Sequence, residues 1–243
     1  MRLVYIDGER FRPADAKISV YDRGFLYGDS VFETIRTYGG KLFALDEHID
    51  RLEESAAKMH IELPVDKATI VAETRQAVEE AKNPESYARV MLTRGTGPLG
   101  LDTDLARGPT RVILVEPLKM PPKEHYEHGI AAACVETVRA SDAADSAKLG
   151  NYLASVLALK KAKEAGAVEA LVVNRDGLVV EGTTSNVFAV VRGGLVTPPL
   201  DIGILAGITR AEVLSAAAEL GIAVEERAMK PSEIRGVDEL FIT

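Results

Sequence analysis

Near the middle of the chain, Glu116-Pro117-Leu118-Lys119-Met120-Pro121-Pro122 places three prolines within six residues. Proline fixes φ at roughly −65° and has no N–H, so such a run excludes both a central strand and a helix interior. It reads as a short, stiff, extended connection. It therefore separates a small N-terminal α/β domain, 1–117, from a larger C-terminal α/β domain, 123–243, with 118–122 as the linker. A chain of 243 residues has room for two such domains.

The 47% hydrophobic content excludes intrinsic disorder and is enough for a packed core without disulfides or a structural metal. A lone cysteine, Cys134, forms no internal bridge and suits a reducing, cytoplasmic setting. With only 4 histidines beside it, no Cys/His zinc cluster is expected, and no metal is assigned. The net charge of −8 repels phosphate backbones and argues against a nucleic-acid partner. The opening Met1–Phe11 turns polar too soon for a signal peptide, and no apolar stretch approaches the roughly 20 residues of a membrane span. The expectation is a cytoplasmic protein with no membrane partner.

Hydrophobic periodicity sets the elements. Leu3–Ile6 and the Phe11 region flank Asp7-Gly8, a hairpin signal. Asp22-Arg23-Gly24 reads as a turn, and Val31–Tyr38 as a strand closed by Gly39-Gly40. Ile49, Leu52, Ala56 and Met59 form a helical stripe with Asp46 as N-cap. A second helix is expected over Lys67–Lys82, and strands over Tyr87–Arg94 and Arg111–Val115. Past the linker come a strand at Ile130–Val138, a polar loop at Ser141–Gly150 and a helix at Asn151–Ala165. Hairpins around Asp176-Gly177 and Gly193-Gly194, a helix at Thr209–Leu220 and a strand at Glu239–Thr243 complete the chain.

Several stretches carry chemistry-bearing residues. The strand period of two puts Phe32, Thr34, Arg36 and Tyr38 on one face, and likewise Tyr87 with Arg89. Two strands each offering an aromatic and an arginine suit an anionic, partly apolar ligand; amphipathic strands at a sheet surface give the same pattern. Gly207-Ile208-Thr209 opens a helix whose N–H groups and dipole suit a phosphate, or is an ordinary helix start. Glu181 ends a strand and points either inward or to solvent. Spacing alone does not separate Lys148 from Lys119 or Lys160.

In order and spacing, Asp22–Tyr38 (DRGFLYGDSVFETIRTY), Glu47–Leu52 (EHIDRL), Lys148–Ala154 (KLGNYLA), Glu181–Phe188 (EGTTSNVF) and Leu205–Arg210 (LAGITR) resemble the class IV, or fold-type IV, pyridoxal-phosphate (PLP) enzymes. That family contains branched-chain aminotransferases, D-amino-acid aminotransferases and aminodeoxychorismate lyases. The resemblance implies a two-domain fold like that of D-amino-acid aminotransferases, PLP as cofactor and a homodimer. It implies Lys148 as the residue that holds PLP covalently and moves the substrate's α-proton. Glu181 is implied to pair with the pyridine nitrogen, Arg51 to bind the phosphate, and Ile208 and Thr209 to supply helix-terminus donors. Leu205 would pack on the ring, and Tyr152 would reach its phenolic oxygen.

The substrate pocket implied is Tyr27, Phe32, Thr34, Arg36, Tyr87 and Arg89. Phe32 with Arg36, and Tyr87-Ala88-Arg89, resemble branched-chain enzymes. Leu99-Gly100-Leu101 stands where D-amino-acid aminotransferases usually carry an arginine and a histidine. Thr34 departs from the usual branched-chain glycine and resembles aminodeoxychorismate lyases. Members of the family continue past the position of Thr243, where a further phosphate-binding hydroxyl lies. The leading expectation is an aminotransferase moving an amino group between an apolar, branched-chain-like amino acid and 2-oxoglutarate by a ping-pong mechanism. The alternative is an aminodeoxychorismate lyase releasing pyruvate to give 4-aminobenzoate, ahead of a D-amino-acid aminotransferase or a non-catalytic PLP-binding relative.

Overall fold

A computed structural model describes residues 1–138 and 147–243. The chain forms two compact units: Met1–Met120 together with Ala147–Asn151, and a second that begins at Pro121 and takes in Tyr152–Thr243. Each is a mixed α/β unit with its own core.

In the first unit, β1 (Leu3–Ile6) turns back into β2 (Glu9–Phe11). A five-residue helix, α1 (Arg23–Tyr27), leads into β3 (Ser30–Tyr38), and β3 turns through Gly39-Gly40 into the short β4 (Lys41–Leu42). Helices α2 (Leu45–Lys58) and α3 (Lys67–Ala81) follow, then β5 (Ser86–Thr93) and β6 (Thr110–Pro117). The strands make one sheet in the order β2-β1-β6-β5-β3-β4, antiparallel at every pairing.

Alternation decides which face is covered. Val31 and Ile35 of β3, with Ala88 and Val90 of β5 and Ile113 and Val115 of β6, are buried against Ile49, Leu52, Ala56, Ile70 and Val78 of the helices. The stripe expected for α2 is therefore its core side. Its start differs from expectation. Ala44, with φ 50°, is the N-cap and Asp46 lies inside the first turn with Glu47, where carboxylates complement the positive helix end. Asp22 does not mark a simple turn either: its side chain accepts from Gly24 N–H and caps α1.

The second unit opens with a five-residue helix, α4 (Lys123–Glu127), then β7 (Ala132–Glu136). Helix α5 (Leu153–Glu164) lies between β7 and its parallel partner β8 (Glu169–Val173), and β9 (Val179–Gly182) pairs antiparallel to β8. Strands β10 (Val187–Val191) and β11 (Gly194–Thr197) form the hairpin around Gly193-Gly194. Helix α6 (Ile208–Glu219) carries the chain to β12 (Val224–Glu226), parallel to β11. A single-turn helix, α7 (Pro231–Ile234), precedes β13 (Glu239–Ile242), which closes the order β12-β11-β10-β13. Of the loop expected at Ser141–Gly150, positions 141–146 lie outside the described residues.

A buried ionic cluster joins α1, β3, β5 and the end of α2. Asp29 accepts from Arg23 Nε at 3.0 Å, and from Arg94 Nε at 2.8 Å and Nη2 at 2.9 Å. Arg94 also donates to the carbonyls of Met59 and His60, each at 2.7 Å, and so closes the C-terminus of α2. Burial opposes the charge on Asp29, but the hydrogen bonds from Arg94 and Arg23 outweigh it and hold the carboxyl below the usual carboxylate range. Its contribution to stability is present above the ordinary carboxylate pKa and is lost as pH falls through the depressed value. Asp29→Asn leaves two buried guanidiniums without their counter-charge, a loss of about 3–5 kcal/mol. The expected outcome is a thermal midpoint lower by about 6–20 °C at neutral pH, with the gap to wild type closing as pH falls; equal midpoints at neutral pH would contradict it.

Candidate active site

The first unit assembles its candidates around the N-terminal half of β3. On one side β3 pairs with β5; on the other, β4 reaches only Thr37 and Tyr38. The open edge at Ser30–Phe32 is taken by the segment that carries Lys148. Phe32 N–H donates to Lys148 O at 3.1 Å, Gly150 N–H donates to Ser30 O at 2.8 Å, and Val31 bridges Leu149. Lys148 N–H donates to Ser55 Oγ of α2 at 3.2 Å. The approach at 150 is close: a Cβ there would lie 2.0 Å from Ser30 Oγ, so a larger residue requires the serine hydroxyl to move. The lysine backbone is thus fixed to a strand and a helix, and its Nζ lies 5.0 Å from the Phe32 ring centroid.

Register places the remaining candidates. Thr34 faces Arg89 and Arg36 faces Tyr87 across β3 and β5, so Phe32, Thr34, Arg36, Tyr87 and Arg89 share the sheet face opposite the helices. The Arg89 guanidinium carbon sits 3.7 Å over the Phe32 ring centroid, within cation–π range. Its Nε is buried and without a hydrogen-bond partner among the described residues. Thr34 Oγ1 lies 3.4 Å from Tyr87 Oη. Arg36 instead stacks on the exposed ring of Tyr38, 3.8 Å from its centroid, and donates to Thr37 O. Tyr27 lies on α1, and its Oη accepts from Gly100 N–H at 3.1 Å.

Arg51 lies on the other face of β3. Its Nε and Nη2 donate to Glu33 Oε1 and Oε2 at 2.6 and 2.7 Å, and His48 Nδ1 is 2.7 Å from Oε2. Glu33, fully buried, is the principal residue that sequence reasoning missed. The signal was available: the alternation that puts Phe32 and Thr34 on one face puts Glu33 between Val31 and Ile35 on the apolar one.

In the second unit, Glu181 on β9 accepts from Leu205 N–H at 3.1 Å, and Leu205 O accepts from Asn186 Nδ2 at 2.9 Å. Both ends of one residue's backbone are thereby held, and Asn186 had not been singled out. Gly207 follows as the N-cap of α6, where a Cβ would meet Asn186 Oδ1 at 1.9 Å. Ile208 and Thr209 form the first turn, and no side chain caps it, which leaves a helix start of the kind that receives anions. Arg210 is drawn away to Pro198 O and Glu226. Tyr152 is the N-cap residue of α5.

The donor chemistry of each unit suits PLP. The first offers an amine at Lys148 and a guanidinium at Arg51; the second offers a carboxylate at Glu181 and an uncapped helix start at Ile208-Thr209. An aldehyde, a phosphate and a basic ring nitrogen are the matching groups. Among the described residues no His, Cys, Asp or Glu cluster suits a metal ion, and no helix is long and apolar enough to cross a membrane.

Comparison with known proteins agrees with this chemistry. The model of the amino-transferase class IV family matches residues 30–243. A Methanocaldococcus jannaschii protein whose name proposes a branched-chain-amino-acid aminotransferase is 43% identical over 242 residues, covering 99% of this chain and 83% of that one. The D-alanine aminotransferase of Bacillus licheniformis is 35% identical over 240 residues, covering 99% and 83%. The branched-chain aminotransferase of Thermoproteus uzoniensis, solved with norvaline, superposes with a TM-score of 0.91 at 32% identity, covering 99% and 82%. The extended match, the shared fold and the donor set make this chain a member of the class IV aminotransferases, PLP-dependent transaminases of fold type IV.

Proposed function

We propose that this aminotransferase moves the amino group between an apolar, branched-chain-like amino acid and 2-oxoglutarate, each half-reaction releasing its product before the next substrate enters. The observation that carries the reading is the Phe32–Arg89 pair, with a cation 3.7 Å over a buried ring whose centroid is 5.0 Å from Lys148 Nζ. An apolar side chain packs on such a ring. An acidic one finds a buried guanidinium Nε with no partner of its own. The norvaline complex of the Thermoproteus uzoniensis enzyme is consistent with an apolar substrate. The 35% identity to a D-alanine aminotransferase supports a second reading, opposed by the apolar Leu99-Gly100-Leu101. Leucine, glutamate and D-alanine, each tested as amino donor, separate the two. A single equivalent of amino acid that leaves the cofactor aminated marks a transaminase, whereas aminodeoxychorismate yielding pyruvate marks a lyase.

Bound PLP supplies an aldehyde for the amino group and a ring that draws electrons from the substrate's Cα. In this reading Lys148 would hold the cofactor, and its amine would take and return the substrate's α-proton. The pairing of its backbone with β3 and α2 fixes the point from which the amine reaches out, and proton transfer depends on such placement. Glu181 keeps a proton on the ring nitrogen, its carboxylate oriented by Leu205 N–H. Arg51, Ile208 and Thr209 would serve the phosphate, Leu205 would pack on the ring, and Tyr152 would reach the phenolic oxygen. A homodimer belongs to the same proposal, as does a domain boundary at 118–122, with Ala147–Asn151 returning to the first unit and not staying with 123–243.

Lys148→Ala is expected to abolish the cofactor attachment that borohydride fixes and to lower turnover by about 10²- to 10⁴-fold or more; mass spectrometry showing a full-stoichiometry adduct on another lysine would overturn the assignment. Glu181→Gln keeps an oxygen for Leu205 N–H but removes the charge. It should retain PLP and lose about 30- to 1,000-fold in rate, equivalent to roughly 2–4 kcal/mol; wild-type turnover in this variant would place Glu181 away from the ring.

Arg89→Leu should lower kcat/KM for glutamate by about 10- to 150-fold, the equivalent of one charge-assisted hydrogen bond, and for leucine by clearly less. Arg36→Leu should discriminate less than Arg89→Leu, because Arg36 is committed to the exposed Tyr38. Equal losses for both amino acids in the Arg89 variant would remove the acidic-substrate role.

A further inference from the structure

Glu33 is 0% exposed on the helix-covered face of β3, a position where a charge is costly unless fully paired. Its pairing is complete. Oε1 takes Arg51 Nε; Oε2 takes Arg51 Nη2, His48 Nδ1 and, at 3.3 Å, Thr34 N–H. His48 and Arg51 lie three residues apart on α2 and so reach the carboxylate from the same helix face. Burial opposes ionisation of Glu33, but the hydrogen bonds from His48 and Arg51 and the charges of Arg51 and Lys148 outweigh it, holding its carboxyl below the usual range. A side-on, two-bond pairing fixes the plane and rotamer of a guanidinium in a way that a single contact does not. Arg51, with its side chain only 13% exposed, is gripped through Nε and Nη2 by a carboxylate that is itself held by His48.

We propose that Glu33 is a positioning residue for cofactor capture: it sets Arg51 in the orientation that receives the PLP phosphate, and His48 fixes Glu33. The proposal rests on the reading of Arg51 as the phosphate partner. The pairing already fixes the plane and rotamer of Arg51, so less of its side-chain freedom is lost when the phosphate binds. The mechanism acts on the phosphate alone, which distinguishes it from a general contribution of Glu33 to the fold.

The test uses the cofactor-free protein, titrated spectroscopically with PLP and with pyridoxal, which lacks the phosphate. Glu33→Gln should weaken PLP binding by about 10- to 100-fold and change pyridoxal binding by less than about twofold. In an Arg51→Ala background it should add no further loss, since the two act as one unit. Equal losses for PLP and pyridoxal, unchanged PLP affinity, or additive losses in the double variant would overturn the positioning role. Arg51→Ala that binds PLP with wild-type preference over pyridoxal would overturn the phosphate reading, and the proposal with it, without recourse to any Glu33 variant. Thermal unfolding of the cofactor-free variants shows which are folded. Should Glu33→Gln not fold, His48→Phe removes one donor to Oε2 while keeping a ring. A PLP-specific loss of about 3- to 10-fold is then expected, and no loss would overturn the proposal.

Discussion

Two backbone hydrogen bonds, Phe32 N–H to Lys148 O and Gly150 N–H to Ser30 O, carry a lysine from far along the chain onto the edge of β3. The first unit's site takes its geometry from them. They set Lys148 at the boundary between the two faces of the strand, with Phe32, Thr34 and Arg89 on one side and the Glu33–Arg51 pair on the other. An edge strand is an exposed row of donors and acceptors, and here that row is satisfied by the segment bearing the amine. The glycine at 150 lets the two segments approach closely with the Ser30 hydroxyl left where it is.

Beyond that edge, the first unit fastens its helices to its sheet with buried carboxylate–arginine groups. Asp29 with Arg94 joins the start of β3 to the end of α2; Glu33 with Arg51 joins the middle of β3 to α2; Glu73 with Arg111, at 2.7 and 2.8 Å, joins α3 to β6. Apolar packing tolerates small slides of a helix along a sheet, because many positions bury similar area. A two-point ionic pair does not, because each partner left alone in the core is heavily penalised. The same class of contact thus serves two ends: Asp29 and Glu73 fix register, while Glu33 occupies the place where register and the proposed phosphate partner coincide.

Elements with a full period were legible in the sequence. The alternation of Val31–Tyr38 and the stripe Ile49–Leu52–Ala56 each identify an element and its buried side, and glycine pairs mark the hairpins. The five-residue helices α1 and α4, single-turn α7 and three-residue β12 are too short to express a period, and Asp22 reads equally as a turn or a cap. The start of α2 was displaced because Ala44 takes a left-handed backbone that composition does not announce. On the site side, strand alternation grouped Phe32, Thr34 and Arg36 without outside help, and it would have exposed Glu33 had the apolar face been read for its exception. Lys148 was different in kind. Its distinction from other lysines is a tertiary pairing with β3, and local spacing carries no trace of that; the resemblance alone singled it out. Nor does local pattern reveal that Arg36 spends its cation on Tyr38 while Arg89 spends its own on Phe32.

The edge pairing at Ser30–Phe32 also has a consequence for the order in which the chain is made. Synthesis proceeds from the N-terminus, and domains begin to fold as they emerge. All six strands of the first sheet are complete once Pro117 has emerged, yet Lys148, Leu149 and Gly150, which pair with its open edge, follow only later in the chain. During that interval a nascent chain carries an unpaired stretch of β3 that includes the apolar Val31 and Phe32, an edge open to another strand. The segment that ends this exposure is the one that bears the proposed catalytic lysine, so covering the edge of β3 and seating that lysine against it are a single step.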